Sequence, residues 1–250
     1  PYFITEHMGP RIPSLLNNGK PIDIIIKAYR NADKVIAVSP YLKEKLLEYD
    51  LKKVTVIPNL VNEKKFLLSK KNNRKFIFFS LGIMTKVKGI DVLLKAIKRC
   101  NLSSENTEFW IGGDGPMLSE YKLLAKKLKI VHIVKWLGKI HHNDVPKYFK
   151  NCNAFILPSR FETFGVVCAE AIASGKPVIA TRCGGPQSII NKSNGILVDV
   201  DDIQQLSNAI NNLKFNYTEF RGEKLREEFL RKFSRKVVVN QIINLYKKHI

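Results

Sequence analysis

The chain has 250 residues, 45% of them hydrophobic, and a formal net charge of +20. That is enough apolar material for one large core or two smaller ones, and no apolar run approaches the ~18 residues of a membrane span. Four cysteines, Cys100, Cys152, Cys168 and Cys183, form neither a C-x-x-C pair nor a zinc-ligand spacing, so reduced, buried thiols of a cytosolic protein are expected.

The first strand is YFIT, entered directly from Pro1 without an initiator Met or a targeting segment, as in a fragment. A helix IDIIIKAYRN, a strand KVIAV, a helix PYLKEKLLEY and a strand VTVIP complete residues 1–57. The stretch PNLVNEKKFLLSKKNNR is polar and broken, which suits a linker over 58–73. From residue 74 the pattern repeats on a larger scale. FIFFSL (76–81) reads as a buried strand bounded by Gly82. The helix GIDVLLKAIKRC places Ile90, Leu93, Leu94 and Ile97 on one face. EFWI ends at Gly112-Gly113 and precedes a helix with Leu118, Tyr121, Leu124, Ala125 and Leu128 inward and lysines outward. HIVKWL ends at Gly138, a short helix follows over about 144–151, and AFILP is the next strand. A helix beginning near Phe164 or Gly165 takes Val166, Val167, Ala169 and Ala171 as its core. PVIAT, ILV (196–198), a helix from about Asp202 and a last helix from Ser234, with Val237, Val238, Ile242 and Leu245, close the chain. Strand–helix repeats of this kind predict an α/β fold, a doubly wound parallel sheet with helices on both faces.

Ligands of such sheets bind at the carboxyl ends of the strands. Four of the five ends in the larger repeat carry glycine beside them, letting backbone approach a ligand closely and leaving helix N–H groups for phosphate. Each turn alone is ordinary turn chemistry, and none matches G-x-G-x-x-G or a Walker loop. Glu162 and Glu170 flank the start of one helix. Eight helical residues span about 12 Å, whereas a retaining glycosidase pair stands roughly 5 Å apart. The two acids therefore suit two parts of one elongated ligand, with hydroxyls at both ends and phosphate between. The plainer alternative is a helix N-terminal acid followed by a partly exposed helix acid.

The segment SRFETFGVVCAEAIASGKPVIATRCGGP resembles the E-x7-E signature of glycosyltransferase family 4, which has the GT-B fold. Pro158, Ser159, Glu162, Phe164, Gly165, Glu170, Ala171, Ala173, Gly175, Pro177 and Val178 all fall on it. VIAVSPYLKEKL, VTVIPNLVN, LGIMTKVKGIDVLLKAI, FWIGGDGPMLSEYKLLAKKL, VKWLG and NGILVDVDD resemble successive blocks of the family in its order. The resemblance implies a retaining, metal-independent transferase that uses no cofactor and moves a sugar from a UDP- or GDP-sugar to an acceptor hydroxyl, in polysaccharide or glycolipid synthesis. It implies that Glu170 holds the ribose hydroxyls and Glu162 faces the transferred sugar. Lys88 would pair with the diphosphate, Gly82 would admit the donor, and backbone at Phe164, Gly165 and Val166 would meet sugar or diphosphate. Backbone from Gly138 to Ile140 would meet the base, and His7 would stand near the donor sugar and leaving phosphate. The implied organisation is the tail of an acceptor-side domain over 1–57, the linker, a donor domain over 74–233, and a helix over 234–250 crossing back to the first domain.

Two departures stand out. Many members carry Arg directly after the glycine matching Gly82, where this chain has Ile83; Lys86 is a candidate substitute, although an ammonium lacks the guanidinium fork. An acid common after the Gly-Gly-Pro turn is replaced by Gln187 and Ser188. A nucleotide-sugar epimerase of similar fold and a non-catalytic nucleotide-sugar-binding relative remain as alternatives. The basic excess is spread along the chain, 13 basic against 7 acidic residues over 1–73 and 29 against 15 over 74–250, and it favours anionic partners. No RRM, KH or helix-turn-helix signature supports nucleic acid. The remaining readings of the charge are peripheral attachment to an anionic membrane at its cytoplasmic face and a solvated surface without a partner.

Overall fold

The computed structural model describes residues 1–7, 16, 17, 20, 21, 23–68 and 74–249. The elements, in chain order, are β1 (Phe3–Glu6), β2 (Leu16–Asn17), β3 (Lys20–Pro21), α1 (Asp23–Asn31), β4 (Lys34–Ala37), α2 (Pro40–Leu47) and β5 (Val54–Val56). Then come β6 (Phe76–Leu81), α3 (Ile90–Cys100), β7 (Thr107–Gly112), α4 (Leu118–Lys127), β8 (Val134–Gly138), α5 (Val145–Asn151), β9 (Ala154–Leu157), α6 (Val166–Ala173), β10 (Val178–Thr181), β11 (Gly195–Val198), α7 (Ile203–Phe215), α8 (Gly222–Phe233) and α9 (Arg235–Lys247).

A small parallel sheet has the order β1-β4-β5, and a larger one the order β11-β10-β9-β6-β7-β8; each adjacent pair in both is parallel. The larger sheet is covered on both faces, which is why its strands are apolar almost throughout rather than alternating. Ile77, Phe79, Phe155, Leu157, Val178 and Ala180 point into one core with α5, α6 and α8. Phe78, Phe109, Ile111, Ala154, Ile156 and Ile179 point into the other with α3, α4 and α7. Phe78 stacks on Phe109 with centroids 5.0 Å apart. The first core also contains Val35, Ala37, Leu42 and Leu46 of the small unit, so apolar packing is continuous between the sheets.

Chain order reverses at the junction of β6 and β9. β6 pairs with β7 on one side and with β9 on the other, and the helices that follow β6 and β9, α3 and α6, pack in opposite cores, which leaves a crevice at the strand ends, the usual ligand position in such sheets. The sequence reading missed α8, whose charged outer face hides the inward trio Leu225, Phe229 and Phe233. Helix α9 packs Val238 against Ile36 and Ile57 of the small unit, with Ile242 and Leu245 beside them, and Tyr246 meets Phe3 with ring centroids 4.5 Å apart.

The segment read as a linker is anchored where it is described. Val61 bridges to Ser234, and Phe66 is 2% exposed with its ring 6.0 Å from that of Phe149. Arg226 donates to the carbonyls of Glu63, Phe66 and Ala173. Its polar composition hid two apolar anchors, because the lysines around them point to solvent. Residues 69–73 of the expected linker lie outside the described residues. Phe66→Ala should lower unfolding free energy by about 3–5 kcal/mol, the scale for emptying a buried aromatic site. Denaturant titration checks this; a change under about 1 kcal/mol would mean that the segment is a free connector.

Candidate active site: the crevice between β6 and β9

The loop after β6 forms a 3-10 turn, Lys86–Lys88, that ends at Gly89. Gly89 has φ +63, and a Cβ there would lie 2.0 Å from the Pro158 carbonyl oxygen. Only glycine permits that backbone and that approach, so the β6 loop is seated directly on the β9 loop. Lys88, immediately before Gly89, reaches back across Gly82: a Cβ on Gly82 would meet the Lys88 stem at 3.3 Å. The lysine Nζ then lies 2.6 Å from Glu162 Oε1. Ser159 Oγ donates to the same carboxylate oxygen at 2.8 Å.

The backbone of Glu162 is fixed from the neighbouring loop. Its N–H donates to the Cys183 carbonyl at 3.2 Å, and its carbonyl accepts from Gly185 N at 2.8 Å. This pairing uses the Gly-Gly-Pro turn of the sequence motif. Thr163 connects the loop to the small unit: its Oγ1 donates to the His7 carbonyl at 2.5 Å. Its own carbonyl accepts from Ser39 Oγ, which also caps α2 by accepting from Leu42 N at 3.1 Å. The ends of β1 and β9 are thereby tied although 156 residues separate them.

A cavity of about 500 Å³ occupies the crevice, lined among others by His7, Gly82, Lys88, Glu162, Phe164, Gly165 and Val166. Seven of the residues named from the sequence thus share one wall. A second cavity of about 520 Å³ shares Leu81, Gly82 and Ile83 with it and runs to Gly113, Lys139, Ile140 and His142. Ile140 therefore lies in an adjoining lobe. Helix α6 starts at Val166, one or two residues later than expected. Val166 and Val167 line the cavity and, partly buried, also pack against the core, whose α6 share is completed by Cys168, Ala169, Ala171, Ile172 and Ala173. The first N–H groups of α6 have no intrahelical acceptor, and at the cavity wall they form a site for negative charge.

Glu170 behaves differently. It is 5% exposed and lines neither cavity, so the picture of a partly exposed helix acid does not hold. Burial pushes its carboxyl up to about 7, and among the described residues no side chain donates to it or pairs with it. Ile83 is 65% exposed and lines both lobes. Lys86 lines neither, and Arg160 bonds its carbonyl. Among the described residues, Lys88 is thus the lysine or arginine in the main lobe. Sequence reasoning gave no role to Asn59, Leu60 or Thr163, all on its wall. Asn59 and Leu60 could have been found by applying the strand-end rule to β5 as well. Among the described residues, no group of three or more His, Cys, Asp or Glu gathers as metal ligands would.

The burial of Glu170 has a cost with a definite pH dependence. Its folded pKa lies above the unfolded value, so the folded state binds the proton more tightly and stability falls as pH rises from about 4.5 to 7. Glu170→Gln removes that loss. The variant should unfold at a higher free energy than wild type at pH 8, by on the order of 2–3 kcal/mol, and nearly the same at pH 4.5. Denaturant curves at the two pH values check it; a pH-independent difference would contradict it.

Two families match the chain, together over residues 1–231. The family described as Glycosyl transferases group 1 matches residues 61–231, and Glycosyltransferase Family 4 matches residues 1–65. An uncharacterized glycosyltransferase of Methanocaldococcus jannaschii is 32% identical over 99% of this chain and 68% of its own length. A lipopolysaccharide core biosynthesis glycosyltransferase of Rhizobium meliloti is 26% identical over 89% of this chain and 66% of its own length. The structure of Anabaena HepE in complex with UDP and glucose superposes with a TM-score of 0.86 at 21% identity, covering 99% of this chain and 71% of that one. The chain thus spans about two thirds of the length of these relatives. The GT-B-type architecture expected from the sequence is the one observed, and the chain belongs to the group 1 glycosyltransferases.

Proposed function

We propose that the protein is a retaining, metal-independent glycosyltransferase that moves a sugar from a nucleoside-diphosphate sugar, UDP- or GDP-linked, to an acceptor hydroxyl. The observation that carries the reading is the Lys88–Glu162 pair at the mouth of α6. It places one cation, a set of free helix N–H groups and one carboxylate along a single wall. The elongated crevice suits a donor lying with its diphosphate at Lys88 and the α6 start, its sugar at Glu162 and His7, and its base toward Ile140.

In the reaction, the bond between the anomeric carbon and the β-phosphate oxygen breaks, and its electron pair leaves with the nucleoside diphosphate. An acceptor hydroxyl oxygen bonds to that carbon on the same face, and its proton passes to the departing β-phosphate oxygen. Negative charge grows on the leaving diphosphate, where Lys88 and the α6 N–H groups are already oriented; such fixed groups do not have to reorganise during the reaction. Glu162 accepts hydrogen bonds from sugar hydroxyls. Glu170, on the helix whose first turn lines that wall and without a side-chain partner among the described residues, would accept from the ribose hydroxyls. The complex of HepE with UDP and glucose supports a nucleotide donor, and the lipopolysaccharide relative supports an envelope acceptor.

A donor screen by mass spectrometry with the full-length protein tests the reading. Transfer from one UDP- or GDP-sugar supports it; interconversion of the donor sugar without an acceptor would make the protein an epimerase, and binding without turnover a non-catalytic relative. Lys88→Ala should lower kcat/KM by roughly a hundred- to a thousandfold, the scale for removing one charge-stabilising donor. Glu162→Gln should reduce turnover but leave affinity for bare UDP or GDP unchanged or tighter, since Lys88 loses a competing partner; equal loss in both would make Glu162 a structural brace. Nucleotide affinity should rise with pH and level off above about 7, because the ribose hydroxyls are bound by the ionised form of Glu170. Calorimetry between pH 5.5 and 8.5 reads this, and a flat profile would remove Glu170 from the ribose.

No helix among the described residues is long and apolar enough to cross a membrane. The basic excess would then serve cytoplasmic, peripheral attachment near a lipid-linked acceptor, at ~1 kcal/mol per basic residue close to an anionic surface. Liposome co-sedimentation should show pelleting that requires anionic lipid and weakens with salt. Equal recovery in the supernatant with and without anionic lipid at low salt would favour a soluble acceptor.

A further inference from the structure

Arg160 stands between Ser159 and the Glu162 loop but does not line the main cavity. Its contacts all lie behind it. The Arg160 N–H donates to the Val87 carbonyl at 2.7 Å, and Nη1 donates to the Lys86 carbonyl. The guanidinium also forms a fork on Asp91, Nη1 to Oδ1 at 3.0 Å and Nη2 to Oδ2 at 2.8 Å. Nε meets Asp201 at 2.8 Å. Asp91 is in the first turn of α3, directly after the turn that bears Lys88, and Asp201 belongs to the loop between β11 and α7. One residue therefore joins three strand-end loops, and two of its bonds fall on the main chain of Lys86–Lys88. Burial pushes the Asp91 carboxyl up, yet hydrogen bonds and charge from Arg160 outweigh burial and leave it below the ordinary carboxylate range.

We infer that Arg160, locked by Asp91, is a positioning residue that holds the Lys88 ammonium where a donor diphosphate is to be met. The inference rests on the donor reading of the crevice. The lysine stem has several rotatable bonds, and its ammonium is a point charge with no geometry of its own. Its direction is set by where its backbone sits. That backbone lies in a three-residue turn, whose own bonds are Lys88 N to Thr85 O at 3.0 Å and Gly89 N to Lys86 O at 3.2 Å. So short a turn is fixed by what packs on it, here Pro158 and Arg160. A lysine at position 160 would supply one charge and no fork, leaving at least one of the Asp91 oxygens, the Lys86 carbonyl or Asp201 without its bond. Among the described residues Lys88 is the lysine or arginine that lines the main lobe, so its position matters more.

The test is a set of double-mutant cycles with UDP and GDP as probes, read by calorimetry on the full-length protein. Arg160→Gln and Asp91→Asn should each weaken nucleoside-diphosphate binding by roughly three- to thirtyfold, the range for coupled neighbours. In a Lys88→Ala background each should change binding by less than about twofold. Asp91→Asn separates positioning from simple charge. It removes a negative charge, so charge alone would make an anion bind tighter, whereas loss of the fork makes it bind more weakly. Hydrogen exchange of the nucleotide-free variants gives a second reading: the Lys88 and Gly89 amides should exchange at least about tenfold faster than in wild type, with core strands unchanged. Tighter binding by Asp91→Asn, a full loss persisting without Lys88, or unchanged exchange at Lys88 and Gly89 would each overturn the inference. If wild type binds neither UDP nor GDP, the donor reading fails by itself, and exchange at those two amides alone decides the positioning role.

Discussion

The ion pair between Lys88 and Glu162 is the contact on which the site depends. It joins the loop after β6 to the loop after β9, the two strands between which the chain order reverses. Its partners are half-buried, with 26% and 15% of their side chains exposed, so the pair is screened less than a surface one and lacks full hydration. Such a pair costs desolvation that its own attraction only partly offsets. The surrounding bonds favour holding it in place: Ser159 on the carboxylate, Gly185 and Cys183 on the Glu162 backbone, Arg160 on the turn below the lysine. In a protein without donor the ammonium rests on a carboxylate, and a diphosphate presents the same charge in the same crevice. On the proposed donor reading, binding would exchange the anionic partner of Lys88, after which Glu162 would be free to accept hydroxyl donors from the sugar.

Glu170 shows the opposite economy. A carboxyl that is 5% exposed and has no donor among the described residues weakens the free protein above neutral pH. Stability would be better served by Gln or Leu at this place on an apolar helix. Binding sites keep such groups when the missing partners come with the ligand, and a vicinal diol supplies two O–H donors to one carboxylate.

Much of this was legible in the sequence, for identifiable reasons. A sheet buried on both faces writes itself as continuous apolar runs, so β6, β9 and β10 could be read directly. Glycine at strand ends marks the crevice, and the spacing of Glu162 and Glu170 on either side of a helix start argues against a hydrolytic pair. What escaped was long-range. The Thr163 bond to His7 and the Arg226 bonds to residues 63 and 66 leave no local pattern. Phe66 is followed by two exposed leucines in a mostly polar stretch and does not stand out from them, and α8 presents so many charges that its three inward residues do not stand out. Val166 and Val167 read as core because they are apolar, and they do pack against it, but the first turn of α6 also lines the cavity, which an apolar pattern does not reveal. Lys86 has the right chemistry to replace an arginine, yet it lines neither lobe.

The central claim is that Lys88 exchanges Glu162 for a diphosphate. A crystal structure of the protein with UDP bound tests it most directly. The account predicts Lys88 Nζ within hydrogen-bonding distance, about 2.7–3.2 Å, of a phosphate oxygen, with that phosphate also facing the N–H groups at the start of α6. A bound UDP whose phosphates lie elsewhere, with Lys88 still paired to Glu162, would contradict it.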